Sequence, residues 1–90
     1  MERLHVVIHG DVQGVGFRYF LMRRGGELRL LGWVRNNEDG TVEMVAEGAR
    51  TDLEELKRAA EEGPSLARVE RVAVRWSAAR GGLGPFGLTP

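Results

Sequence analysis

The stretch GDVQGVGFRYF, residues Gly10 to Phe20, puts three glycines within seven residues and an arginine two places after the last of them. A glycine-rich turn between a strand and a helix can aim several backbone N–H groups into one concavity, and the helix N-terminus adds its partial positive charge there. The natural occupant is a phosphate or a carboxylate. Gly10, Gly14 and Gly16 keep side chains out of such a cup. Arg18, in the first helical turn, is placed to lay its guanidinium fork along two anion oxygens. On spacing alone, a structural turn explains the glycines as well as an anion site does. The dinucleotide fingerprint is incomplete, because Tyr19 stands at its third glycine position, and no Gly-Lys-Ser/Thr ending marks a nucleotide P-loop. The cup therefore suits one terminal phosphoryl group.

Little in the loop could act on that group. It holds no cysteine, serine or threonine, and its only carboxylate, Asp11, reads as a residue that shapes the loop or faces solvent. His5 and His9 share one face of the preceding strand, but at ~3.3 Å per residue they stand roughly 13 Å apart, too far to share a metal ion. An anion cradle with one arginine and no evident acid, nucleophile or metal narrows the chemistry. Phosphoryl transfer rests on positioning and charge stabilisation when the leaving group departs readily. The alkoxide of a phosphate ester leaves poorly. An acyl phosphate leaves as a carboxylate, so an oriented water is enough.

The elements that must position these residues are readable from their periodicity. Leu4, Val6 and Ile8 alternate with His5, Val7 and His9, which predicts a strand. The spacing of Phe17, Phe20, Leu21, Leu28 and Leu31 predicts a helix, although Gly25 and Gly26 each cost a helix interior about 1 kcal/mol relative to alanine. LGWVRNNEDGTVEMVAEG predicts a hairpin, with Trp33 and Val34 in one strand, Val42, Met44 and Ala46 in the next, and Asp39-Gly40 at the turn. TDLEELKRAAEEGP predicts a second helix: Thr51 and Glu54 form a capping box, Leu53, Leu56 and Ala60 the buried stripe, and Gly63-Pro64 the stop. Val72, Val74 and Trp76 alternate in a further strand. For the tail RGGLGPFGLTP two outcomes stay open, a short edge strand through Phe86 and Leu88 or fraying. The order β-α-β-β-α-β predicts an α+β, ferredoxin-like sandwich, an antiparallel sheet with both helices on one face. That fold hosts many unrelated functions.

Composition removes whole classes. The 90 residues are expected to form a single domain, 1–90, with one modest core. Thirteen basic and thirteen acidic side chains cancel, which argues against a general nucleic-acid binder. Phe17, Tyr19 and Phe20 cluster at a helix start rather than on the central strands an RNA-binding sheet would use. The absence of cysteine excludes disulfides, thiolate nucleophiles and zinc–thiolate sites. No segment reads as a leader or a membrane span, so a soluble cytoplasmic protein is the expectation, and a monomer is the simplest one for a chain of this size.

GDVQGVGFR (Gly10–Arg18), GWVRN (Gly32–Asn36) and DGTVE (Asp39–Glu43) together resemble the motifs of the acylphosphatase family, and the resemblance extends over essentially the whole chain. It implies a hydrolase that splits acyl phosphates into carboxylate and inorganic phosphate, with no metal or cofactor. It implies further that the N–H groups of Asp11, Val12, Gln13, Gly14, Val15 and Gly16, with Arg18, bind the phosphoryl group. Asn36 would position the attacking water, so that Arg18 and Asn36 are the catalytic pair. Without the resemblance, Asn36 reads as a polar residue near a turn, and Asn37 beside it as a turn residue. A side-chain amide is too weak a base to take the water's proton early, which leaves the substrate's own phosphate as acceptor. The chain departs from the family pattern in four places: Gly25-Gly26 stands where relatives usually carry helix formers, Arg29 where a glycine is common, the final segment is unusually rich in glycine, and Asp11 stands where arginine is frequent. The last makes the mouth of the cup less positive. Two alternatives remain. One is a carbamoyl-phosphate-processing domain, as found in larger hydrogenase maturation proteins whose zinc-finger cysteines this chain lacks. The other is a non-catalytic module that binds a small anion or a partner.

Overall fold

Alternation along β1 (Glu2–Asp11) decides which side of the sheet is covered: Leu4, Val6 and Ile8 are fully buried, while His5, Val7 and His9 point the other way. The computed structural model describes residues 1–89. After β1 come α1 (Phe17–Glu27), β2 (Leu31–Asn36), β3 (Val42–Gly48), α2 (Arg50–Glu62), β4 (Arg68–Ala78) and β5 (Gly87–Leu88). The sheet has five strands in the order β4-β1-β3-β2-β5. All neighbours are antiparallel except β2 and β5, which run parallel. Both helices lie on one face, as the ferredoxin-like order predicts. There the β1 residues meet Val34 of β2, Val42 and Met44 of β3, Phe17 and Leu21 of α1, and Leu53, Leu56 and Ala60 of α2. Burying each large side chain contributes roughly 1.5–3 kcal/mol, so this layer is the main source of stability.

Two local expectations fail, each for a physical reason. Leu31 belongs to β2 and is 37 % exposed, not on a helix face. Helix α1 stops earlier, in a Schellman arrangement: Arg29 N–H donates to Gly26 O at 3.0 Å and Leu30 N–H to Gly25 O at 2.9 Å. Arg29 itself takes the left-handed conformation, φ 56°, which turns the chain before Leu31. The capping box at Thr51 and Glu54 does not form either, because α2 begins one residue earlier, at Arg50, with an extended Ala49 as its N-cap and no side-chain cap. Thr51 lies inside the first turn. The helix start is held instead by Arg50, whose guanidinium lies 3.6 Å from the Trp76 ring centroid and donates to Glu2 at 2.8 Å.

Helix α1 continues through both glycines of the Gly25-Gly26 pair. Gly25 is buried, and a Cβ there would meet the Phe86 ring at 2.7 Å; one at Gly32 would meet the same ring at 2.8 Å. Phe86 occupies a slot made by two absent side chains. The tail is ordered by it: Gly32 N–H donates to Gly84 O at 3.1 Å, Thr89 N–H to Val34 O at 3.0 Å, and β5 pairs with Trp33 and Val34. The opposite face of the sheet carries no helix; Arg3, His5, Arg35, Glu43 and Arg75 lie on it, and Glu47 is on the same side but buried. Among the described residues, no helix is long and apolar enough to cross a membrane.

Candidate active site

At the end of β1 the ladder with β4 shifts register between His9 and Gly10. A Cβ at Gly10 would fall on the carbonyl oxygen of Arg68, so glycine permits this close approach. The chain then turns, with Gly14 at φ 75° and Gly16 at φ 79° and Val15 between them at negative φ. Alternation of hand along a backbone gathers successive N–H groups into one concavity. Among the described residues, the N–H groups of Val12 through Gly16 donate to no backbone carbonyl. Gly16 is the N-cap of α1 and offers no side-chain cap, and the first intrahelical bond runs from Phe20 N–H to Gly16 O at 3.0 Å. The N–H groups of Phe17, Arg18 and Tyr19 therefore lack an intrahelical acceptor, and the positive end of the helix faces the loop.

Asn36 arrives from the hairpin. It is in phase with buried Val34, which puts its side chain on the helix side of β2 at the strand's last position. Val12, Gly14, Gly16, Arg18, Tyr19 and Asn36 line one cavity of about 220 Å³. Arg18 has no carboxylate within ion-pair distance among the described residues. An unpaired guanidinium, unpaired amides and a helix N-terminus thus share a cup wide enough for a tetrahedral dianion, with a carboxamide on its wall.

Of the loop residues whose N–H groups are expected to bind the anion, Val12, Gly14 and Gly16 border the cavity, and the other three are placed as follows. Asp11 is the last residue of β1, opposite Arg68. Val15 is half-buried and packs against the core. The side chain of Gln13 turns to the hairpin, where Nε2 donates to Asn37 O at 2.7 Å and Thr41 O at 2.9 Å. This clamp ties the cup to the strand end that carries Asn36, and the sequence reading missed it. Its acceptors are main-chain carbonyls 24 and 28 positions away, which leave no mark on residue type. Asn37, read as a turn residue, also braces the hairpin. Its Nδ2 donates to Thr41 Oγ1 at 2.9 Å and its Oδ1 accepts from Arg35 Nε at 3.1 Å.

The carboxylates nearby are held ionised. The Thr41 hydroxyl, donating at 2.6 Å, keeps Asp39 below the ordinary aspartate range, helped by the Thr41 N–H. Burial acts to raise Glu43, but hydrogen bonds from the His5 ring at 2.6 Å and from Arg35 at 2.8 Å outweigh it, and the carboxyl lies below its usual range. His5 and His9 are both away from the cup; His9 lies 3.2 Å from the Arg71 guanidinium. Among the described residues, no three His, Asp or Glu side chains are grouped to hold a metal ion.

The cup opens onto a second, more apolar groove. Gly16 and Tyr19 border both, and the groove continues past Phe20 and Met22 to Arg23. Tyr19 is 61 % exposed, a large ring at the junction.

Comparison with known proteins agrees with this geometry. The acylphosphatase family profile matches residues 4–87. An acylphosphatase from Anaeromyxobacter sp. (strain Fw109-5) is 46 % identical over 88 residues, covering 98 % of this chain and 95 % of the relative. The crystal structure of acylphosphatase from Bacillus subtilis superposes with a TM-score of 0.95 at 34 % identity, covering 100 % of both chains. The crystal structure of full-length HypF in its phosphate- and nucleotide-bound form aligns with a TM-score of 0.87 at 29 % identity, but this chain covers only 12 % of that one. With its profile, its relatives and its loop geometry in agreement, the chain belongs to the acylphosphatase family.

Proposed function

We propose that this protein hydrolyses the carboxyl–phosphate bond of acyl phosphates, and that the cup is where it does so. The observation that carries the reading is the meeting of Gly14, Gly16, Asn36 and Arg18, which has no ion-pair partner among the described residues, around one cavity. The phosphoryl group sits against the loop and helix-start N–H groups, with Arg18 along its oxygens. These donors are fixed before the reaction and oppose the charge that builds on the transferring oxygens. The Asn36 carboxamide holds a water opposite the leaving oxygen. The water's oxygen attacks phosphorus as the P–O bond to the carboxyl breaks. Its proton passes to a non-bridging oxygen of the phosphoryl group, and the products are carboxylate and inorganic phosphate. No protein acid is required, because a carboxylate is a stable leaving group, and the step calls for no metal. The acyl part leaves the cup toward Tyr19 and the apolar groove.

The same reading takes residues 1–90 as one domain, acting as a cytoplasmic monomer on a small-molecule substrate, without nucleic acid. Its test is hydrolysis of benzoyl phosphate in chelator-treated buffer, for the native protein and Arg18→Ala, with carbamoyl phosphate for comparison. Turnover that survives chelation and falls ~10²–10³-fold in Arg18→Ala supports the reading, the range expected for removing one preorganised donor. Turnover abolished by chelator and restored by Mg²⁺, or equal rates in the two proteins, would sink it.

A further inference from the structure

The uncovered face of the sheet holds a second cationic cavity, far from the cup in the fold. It measures about 230 Å³ and is lined by Arg3, His5, Val45, Arg75, Ser77 and Arg80. The strand register assembles it: Arg3 lies opposite Ser77 and His5 opposite Arg75 across the β1–β4 ladder, and Val45 lies opposite His5 on β3. Arg80 follows from the segment after β4.

The key to this cavity is the buried carboxylate of Glu47, only 3 % exposed. One oxygen accepts Arg3 Nε at 2.7 Å and the Arg80 N–H at 2.8 Å; the other accepts the Gly81 N–H at 3.1 Å. Three donors thus absorb its charge, led by the Arg80 N–H and then Arg3, and its carboxyl is held below the ordinary glutamate range. Two consequences follow for the arginines. Arg3 is gripped by Nε alone, so both of its terminal nitrogens lack a protein partner among the described residues while the guanidinium plane is fixed. The backbone of Arg80 is tied down at the cavity's rim. Arg75 and Arg80 have no carboxylate partner among the described residues, and the other acid near the cavity, Glu43, is engaged by His5 and Arg35. Counting Arg3 with Glu47 as neutral, two cations remain facing one cavity, with a serine hydroxyl beside them and a buried valine beneath. Like charges gathered over an apolar floor repel one another, and a doubly charged oxyanion would relieve that repulsion.

We propose that this cavity is a second anion site, taking a compact phosphoryl dianion through the Arg3 fork, Arg75, Arg80 and the Ser77 hydroxyl. It lies on the sheet face away from the catalytic cup, so the two sites can be filled at once. The site stands whether or not the cup is catalytic.

The test is a titration of ¹⁵N-labelled protein with inorganic phosphate, against sodium chloride at matched ionic strength, read by amide chemical shifts. Two separate groups of amides are expected to move with phosphate: Gly14 to Tyr19 at the cup, and Arg3, Ser77, Arg80 and Gly81 at the distal site. The double variant R75Q/R80Q changes two exposed side chains that have no protein partner among the described residues, so the fold is retained. It should weaken the distal response at least tenfold, and Arg18→Ala should weaken the cup response. Distal amides that do not move, that move equally with chloride, or that still respond fully in R75Q/R80Q would each overturn the proposal.

Discussion

The Gln13 side chain donates to the carbonyl oxygen of Asn37 at 2.7 Å, bridging the phosphate-type loop and the hairpin whose preceding residue is Asn36. The loop supplies the anion donors and the hairpin supplies the carboxamide, so this bridge sets their relative position. Gln13→Ala removes the bonds to Asn37 O and Thr41 O, each worth about 1 kcal/mol net. Stability should fall by about 1–2 kcal/mol in urea denaturation, and kcat/KM by about tenfold, the equivalent of ~1.4 kcal/mol. Gln13→Glu turns two donors into acceptors facing carbonyl oxygens, and should be at least as damaging. If Gln13→Glu turned over substrate at the native rate, the clamp would have no positioning role.

Asn36→Ala separates water positioning from binding. The variant keeps the loop amides and Arg18, so KM for benzoyl phosphate should change little while kcat drops ~10²-fold or more, as for loss of an interaction made mainly in the transition state. A KM that rises with kcat unchanged would make Asn36 a ground-state binding residue instead.

Gly25 and Gly26 are neighbours with opposite expected responses. A Cβ at Gly26 meets nothing within 4 Å, so Gly26→Ala should gain helix propensity and stabilise by ~0.5–1 kcal/mol. Gly25→Ala gains the same propensity but drives a methyl into the Phe86 ring, and should lower Tm and speed exchange of the Thr89 amide. Thermal melts of the two variants side by side decide the matter. Equal stabilisation by both would mean that Phe86 does not rest on Gly25.

Arg29 stands in left-handed backbone at the end of α1. That conformation costs an L-residue roughly 1–2 kcal/mol, and glycine gives back ~0.4–1 kcal/mol through its looser unfolded chain. Arg29→Gly should therefore stabilise by about 0.5–1 kcal/mol, seen as a raised denaturant midpoint with unchanged slope. A lower midpoint would show that the arginine side chain makes a compensating contact.

Acid should unfold the protein through Glu43, Glu47 and Asp39, all of which ionise more readily folded than unfolded. A depressed folded value means that the stabilisation is fully present above the ordinary glutamate value of 4.5 and is lost as pH falls through the folded value. Tm should be level from neutrality to about pH 5 and decline below that. Glu43→Gln should shallow the decline, and an unaltered acid limb in that variant would remove Glu43 from the account.

Legibility followed the range of the interaction. The strand alternations of β1 and β3 and the stripe of α2 are local periodicities, and each appears where the residues placed it. Leu31 misled because its spacing from Leu28 suits a helix, while the Schellman turn at Arg29 depends on one backbone angle. Thr51 and Glu54 carry the right types for a cap, but β3 runs so close to α2 that the helix starts before them. At the site, spacing left the loop glycines open between a structural turn and an anion cup; the structure gathers Gly14, Gly16 and Arg18 around one cavity. Asn36 stood out only through the GWVRN resemblance, although its phase with Val34 already pointed it to the helix side. The Gln13 clamp and the Phe86 slot depend on a carbonyl or an absent side chain, and residue types do not record either.

The pairing of the tail with β2 has a consequence for the protein's behaviour at high concentration. Leu31 to Val34 would otherwise form the rim of the sheet, a row of unsatisfied main-chain groups ready to recruit a strand from a neighbouring molecule. Phe86 and its two glycines latch a short strip of the chain's own backbone over that rim. The other rim, β4, carries Arg68, Glu70, Arg71 and Arg75, charges that deter the same encounter. One border is guarded by self-pairing and the other by charge, so the phenylalanine slot that looks like a packing detail also serves as a safeguard against aggregation.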